Sequence, residues 1–355
     1  MAEPNLGIIE GYFGPPWTWE DRRAVVAQLA PVGYRFFHYA PKGDAYLRRR
    51  WQEPHPLEEA REIADFVSFC HEKSVRVGIG LSPYEAFNDF SDGVKQDFVR
   101  RVKDLAALGI DDLGIFFDDM HANLPDLAQK QIEIMHLALT TAPHLKLVMT
   151  PSYYSTDPLL DRVFGPRPQN YLADLGVGLD PSIDIYWTGE EVCSLEISPG
   201  HVQEIGALLR RKPLLWDNYP VNDGPRMSEF LHLRGFTGRG ARLADWVAGH
   251  AINPALQPYL SCIPAITLAD AYRLGDAYCY RASGQAAGLK VLGPQLADMV
   301  RTDLMAFQDQ GLSRLTKKRQ ALCERYQPID HPAAREIVAW LQDGYATSSE
   351  IVETQ

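Results

Sequence analysis

A (β/α)8 TIM barrel followed by a small C-terminal helical region is the α/β fold class that this sequence predicts. Three observations predict it. Short apolar runs alternate with longer amphipathic stretches over the first 275 residues, the pattern of parallel strands joined by crossover helices. The runs number eight, which favours a closed barrel over an open sheet. The length of 355 residues suits a barrel of roughly 250 residues plus an appendage.

The apolar runs, in order, are LGIIEGYF (6–13), YRFFHYAP (34–41), VRVGIGLSP (75–83), DLGIFFDD (112–119), LKLVMTPSYY (145–154), SIDIYWTG (182–189), KPLLWDNYP (212–220) and DWVAGHAINP (245–254). Helical spacing of apolar residues marks the stretches 19–33, 56–74, 93–109, 124–142 and 199–211; in the third, Val94, Phe98, Val99, Val102, Leu105 and Ala106 share one face. The fourth helix is expected to be capped by Asn123, with Leu124-Pro125 in its first turn. The helix after the eighth run is expected over 266–275. From there the strand signal stops, and 285–311, 313–327 and 331–344 read as three helices with polar breaks. The expected organisation is a catalytic barrel over 1–275, a helical appendage over 276–345 and a flexible tail over 346–355.

Composition narrows the function. A net charge of -11 makes the chain a poor non-specific partner for nucleic acid, whose phosphates would repel it. The basic runs Arg48-Arg49-Arg50 and Lys317-Lys318-Arg319 read as solvated helix surface. Five cysteines with no C-x-x-C suggest reduced, mostly buried thiols rather than a disulfide framework or a zinc site. No apolar stretch reaches the roughly 18 residues of a membrane helix, so no membrane association is expected. The N-terminus has no basic segment followed by an apolar one, so a cytoplasmic location is expected. The C-terminal helices offer a surface through which a homodimer could form.

In a (β/α)8 barrel the active site lies at the carboxyl ends of the strands. The residues that follow the runs are polar, acidic and aromatic: Gly11, Phe13, Lys42, Asp118, Asp119, Tyr154, Trp187, Trp216, Asn218, Asp223 and Asn253. Carboxylates and amides suit the hydroxyl groups of a sugar, and ring faces suit its apolar C–H patches. No cluster offers the His or Cys ligands of a transition-metal site, and no Gly-rich phosphate loop follows a strand. No metal or other cofactor is therefore expected. Each residue also has a plainer reading. The tryptophans could be core, Lys42 an ordinary loop lysine, and Asn253-Pro254 and Asp223-Gly224 turn pairs.

The adjacent acids Asp118 and Asp119 are the more telling feature. With Asn123 as cap, neither acid is needed at the helix start. Two like charges so close raise at least one pKa, which costs stability unless it serves a task. A carboxyl group kept protonated near neutral pH is what a glycosidase uses to protonate a leaving oxygen.

Seven motifs in order, GIIEGYFGPPWTWEDR, YAPKGD, FFDD, PSYY, WTG, WDNYPVND and INP, resemble glycoside hydrolase family 84, the β-N-acetylglucosaminidases that include the O-GlcNAcases. The resemblance runs from about Leu6 to Asn253. It implies a retaining, substrate-assisted exo-hydrolase of N-acetylglucosamine-bearing glycoproteins, glycopeptides or glycans, in which the sugar's own acetamido oxygen is the nucleophile and an oxazoline forms. By resemblance, Asp118 accepts the acetamido N–H and Asp119 is general acid and then base. Tyr154 lies near the oxazoline, Trp216 walls the acetamido methyl, and Asn218 positions Asp118. Asp223 and Asn253 hold the 4- and 6-hydroxyls, and Lys42 and the Gly11 backbone reach the 3-hydroxyl region. Tyr12-Phe13 reverses the Phe-Tyr order of some members, which displaces a hydroxyl. Removal of O-linked N-acetylglucosamine from proteins is the leading expectation. The same chemistry on glycans or cell-wall fragments, and an inactive sugar-binding barrel, are the alternatives. A chitinase-type barrel is disfavoured, because its D-x-x-D-x-D-x-E strand is missing.

Overall fold

A computed structural model describes residues 5–345. Eight parallel strands close into a barrel in chain order: β1 (Leu6–Glu10), β2 (Tyr34–Tyr39), β3 (Arg76–Leu81), β4 (Asp112–Phe116), β5 (Lys146–Thr150), β6 (Asp184–Trp187), β7 (Leu214–Asp217) and β8 (Gly249–Ile252). β8 pairs with β1 to complete the ring. The expected tail over 346–355 lies outside the described residues.

Alternation along each strand divides the core in two. Ile9, Phe36, Phe116, Val148, Tyr186, Leu214, Trp216 and Ala251 pack inside the barrel. Their neighbours Ile8, Phe37, Ile115, Met149, Ile185, Leu215 and Ile252 pack outward against the helices. This parity fixes which residue at each strand end can look into the barrel mouth.

Helices α1 (Trp19–Leu29), α2 (Leu57–Glu72), α3 (Asp92–Ala106) and α4 (Leu127–Thr141) follow the first four strands. Thr18 caps α1 through a reciprocal bond with Asp21, a capping box. α4 starts at Leu127 with Asp126 at its cap, three residues later than the sequence suggests. Leu124 precedes a proline, which disfavours helical backbone there, and its N–H turns back to Ala122. Two short helices, α5 (Pro158–Phe164) and α6 (Tyr171–Gly178), join β5 to β6 where none was expected; seven or eight residues give too little periodicity to read.

α7 (Pro199–Leu209) follows β6, and only the short α8 (Gly224–Met227) and a 3-10 turn separate β7 from β8. α9 runs Pro258–Leu274, eight residues longer at its start than expected. It is buried on nearly all sides, so it carries no polar stripe to betray its extent. α10 (Tyr280–Met305) kinks at Gly293-Pro294, where Gly293 has φ 73. The stretch 313–327 is broken at Thr316 into α11 (Leu312–Leu315) and α12 (Lys317–Tyr326). α13 (Pro332–Leu341) closes the described chain, and its buried Glu336 accepts the Tyr259 and Leu260 N–H groups at the start of α9. No helix among the described residues is long and apolar enough to cross a membrane.

Candidate active site

Phe116 is the last residue of β4 and faces inward. The ladder continues one step further, with the Phe117 N–H donating to Thr150 O at 2.9 Å, and the Phe117 ring packs outward. Asp118 then falls on the inward set. Asp119 would face away by parity, but its backbone is left-handed, with φ 56. That conformation costs an L-residue about 1–2 kcal/mol, and aspartate tolerates it better than most. The turn returns the Asp119 carboxylate to the barrel mouth, so both acids line one pocket.

The two acids are held differently. Lys42, just beyond β2, pairs with Asp118 Oδ2 and stands 3.8 Å from Asp119 Oδ2. Asp118 Oδ1 is buried without a hydrogen-bond partner among the described residues. The Tyr154 hydroxyl donates to Asp119 Oδ1 at 3.2 Å. Burial raises the Asp119 carboxyl above its ordinary value. Lys42 opposes that shift, Asp118 adds to it, and Arg48 and the Tyr154 bond oppose it. Asp119 is thus biased towards holding a proton while Asp118 lies against a fixed cation.

The opposite wall comes from β7, β8 and the loop after β1. Trp216 faces inward and packs edge-on against Phe116 and Tyr186 at 5.6 and 5.3 Å. Its indole N–H donates to Asn218 Oδ1 at 2.9 Å, which also accepts from Asn253 Nδ2 at 2.9 Å. Asn218 Nδ2 donates to Val192 O at 2.8 Å, so the amide orientation is fixed on both sides. Asn253 Oδ1 accepts the Gly11 N–H at 3.2 Å. A Cβ on Gly11 would lie 2.2 Å from Trp216 Cζ2, so only glycine lets the indole close over the site. Asp223 Oδ2 accepts the Phe13 N–H at 2.7 Å, which holds the acid at the pocket edge. The reversed Tyr12-Phe13 order puts the Tyr12 hydroxyl in the core, where it donates to Glu10 and accepts from Trp17 N–H.

Gly11, Phe13, Asp118, Asp119, Tyr154, Trp187, Trp216, Asn218, Asp223 and Asn253 all border this pocket of about 540 Å³, part of it open to solvent. Lys42 reaches it through Asp118. Trp187 has outward parity: its indole N–H donates to His201 Nε2 of α7 at 3.0 Å, and the inward ring of β6 is its neighbour Tyr186. Three lining residues were not singled out from the sequence, Thr150, Tyr186 and Val192, while a fourth, Thr188, stands in the WTG motif at the end of the sixth run. Counting parity back from the strand ends identifies Thr150 and Tyr186, because each lies two or a multiple of two from an inward neighbour. The thorough correction concerns Arg48. It is not solvated helix surface but 4% exposed, on a turn beneath the acid pair, and donates to Asp119 O at 2.8 Å. Arg49 and Arg50 are exposed. Among the described residues no group of three or more His, Cys, Asp or Glu could hold a metal ion.

A family model described as beta-N-acetylglucosaminidase matches residues 6–308. The Protein O-GlcNAcase of Mus musculus is 26% identical over 277 residues, covering 75% of this chain and 30% of that relative. The Protein O-GlcNAcase of Rattus norvegicus matches to the same extent. The chain therefore spans under a third of the length of these curated relatives. Among solved structures, an aspartate-to-asparagine mutant of the Thermobaculum terrenum O-GlcNAc hydrolase superposes with a TM-score of 0.79 at 27% identity, covering 95% of this chain and 80% of that one.

Proposed function

This chain belongs to the β-N-acetylglucosaminidase family of glycoside hydrolases, and from that premise we propose that it removes terminal N-acetylglucosamine from serine and threonine of proteins, with retention and through an oxazoline. One observation carries the reading. Two adjacent carboxylates share one pocket yet differ in environment: Asp118 is paired with Lys42 and offers a buried, unpartnered Oδ1, while Asp119 is shifted towards its protonated form. Two carboxyl groups pushed apart in this way suit two roles.

In the first step the acetamido carbonyl oxygen of the sugar bonds to the anomeric carbon as the glycosidic C–O bond breaks. Asp119 gives its proton to the departing oxygen. Asp118 Oδ1 accepts the acetamido N–H, which orients the group and makes its oxygen more nucleophilic. Tethering the nucleophile to the reacting carbon supplies much of the rate. In the second step Asp119 takes a proton from water, whose oxygen bonds to the anomeric carbon and opens the oxazoline. Two inversions give retention, one water is consumed and Asp119 regains its proton. Trp216 walls the acetamido methyl, Asn218 and Tyr154 position the acetamido group, and Asp223 and Asn253 hold the 4- and 6-hydroxyls. Lys42 and the Gly11 backbone meet the 3-hydroxyl region, and Phe13 completes the walls. The five free cysteines fit a cytoplasmic setting.

Turnover of an O-GlcNAc peptide, an aryl β-N-acetylglucosaminide and a chitobiose-type glycan tests the reading, with Asp119→Asn as control. Efficient release from the peptide, abolished by Asp119→Asn, is expected. Turnover confined to the glycan would move the substrate to free glycans, and no turnover of any of the three would leave only a sugar-binding barrel.

A further inference from the structure

Arg48 sits on the turn after β2, following the 3-10 helix Ala45–Leu47. It is buried, yet its Nη1 has no hydrogen-bond partner among the described residues. Its Nη2 donates to the carbonyl of Asp119 at 2.8 Å. Its guanidinium carbon lies 5.1 Å from the Tyr84 ring centre and 5.9 Å from that of Phe13. One side chain from the loop after β2 thereby braces the loops after β1, β3 and β4. A buried guanidinium is an expensive group to place where a neutral donor would satisfy one carbonyl. The position of its charge supplies a reason: the carbonyl it holds belongs to the one residue of the acid pair whose backbone is left-handed.

We propose that Arg48 is a positioning residue for the proton transfer, which fixes the left-handed turn at Asp119 through its carbonyl and places a permanent positive charge beneath the carboxyl group. This rests on the acid-base reading of Asp119. Among the described residues Lys42 at 3.8 Å and the Tyr154 hydroxyl at 3.2 Å approach that carboxyl, and the charges of Asp118 and Arg48 also act on it. Lys42 is already engaged by Asp118, so Arg48 is the second cation that keeps Asp119 from being too weak an acid. Too high a proton affinity would slow donation to the leaving oxygen and leave less base for the water step.

Two substitutions in the whole protein separate charge from shape. Arg48→Gln keeps a donor and removes the charge. Arg48→Lys keeps the charge and loses the planar fork. The readout is kcat/KM against pH for aryl β-N-acetylglucosaminides with good and poor leaving groups, beside a thermal melt. The alkaline limb reports the acid that must be protonated. For Arg48→Gln it should move up by about one pH unit, with kcat on the poor leaving group down about 10- to 100-fold and KM little changed. For Arg48→Lys the limb should stay in place, with a smaller loss of kcat. A limb that stays in Arg48→Gln, or moves in Arg48→Lys, overturns the proposal, as do equal losses on both leaving groups. The opposite expectations for the two variants keep the test decisive if one of them fails to fold. Asp119→Asn measured alongside distinguishes the two failures. If it lacks a leaving-group-dependent loss, the acid reading falls and Arg48's role with it; if it shows that loss while the Arg48→Gln limb is unmoved, Arg48's role alone falls.

Discussion

Asp119 and Asp217 are both buried aspartates at the carboxyl ends of barrel strands, and the fold treats them in opposite ways. Asp217 has outward parity. Arg239 grips it with two bonds of 2.7 Å, and His250 Nε2 lies 3.0 Å from it. Burial alone would raise its carboxyl, but Arg239 and then His250 outweigh that and hold it at about 2. Asp119 has inward placement, one phenol at 3.2 Å and a lysine at 3.8 Å that is already engaged elsewhere. Its carboxyl stays above the ordinary value. The chain can satisfy a buried carboxylate fully, and at Asp217 it does. That it does not at Asp119 is what the proposed acid-base role requires, whereas the Asp217 arrangement suits a residue that holds the fold.

The contrast can be broken first at Arg239. Arg239→Met leaves the Asp217 charge buried and frees the carbonyls of Ser194 and Leu195 that Arg239 also holds. A loss of about 3–5 kcal/mol is expected in denaturant unfolding; a loss below about 1 kcal/mol would mean that Asp217 is not structural. The next effect is one of pH. The folded Asp217 carboxyl, at about 2, lies below the ordinary aspartate value of 3.8. Its contribution, about 2 kcal/mol, is therefore complete above the unfolded value and lost as pH falls from about 5 towards 2. Unfolding measured across that range should show the slope in the wild type and lose it in Asp217→Asn. The smallest effect has the opposite sign. Because the folded Asp119 carboxyl is raised, ionising it opposes folding as pH rises past its unfolded value. Asp119→Asn should accordingly raise the melting temperature at neutral pH by about 1–3 °C, and a fall of several degrees would place Asp119 with Asp217 among the structural acids.

Most of the fold was legible because parallel strands buried on both faces read as continuous apolar runs; all eight contain the observed strands. What stayed hidden was hidden for local reasons. α9 has no polar face to give it a period, α5 and α6 are too short to show one, and a pre-proline leucine delays α4. At the site, reading the residue after each run finds Asp118, Trp216 and Asn218, whose parity is inward. The same habit selects Trp187, whose ring turns outward while Tyr186 faces the barrel. Asp119 defies parity, and only its left-handed backbone explains how both acids share a pocket. Arg48 could not be found in a run of three arginines, because charge runs on turns are usually solvated and nothing in its spacing shows that one of them is buried.

In the proposed mechanism the adjacent acids have separate tasks, one orienting the nucleophile and one moving the proton. The most direct test is the dependence of kcat/KM on leaving-group pKa for aryl β-N-acetylglucosaminides in the wild type, Asp118→Asn and Asp119→Asn. Asp119→Asn should steepen the dependence, losing about 10²–10⁴-fold on the poorest leaving groups and far less on the best, whereas Asp118→Asn should lower the whole line without changing its slope. An unchanged slope in Asp119→Asn, or the same steepening in both variants, would contradict it.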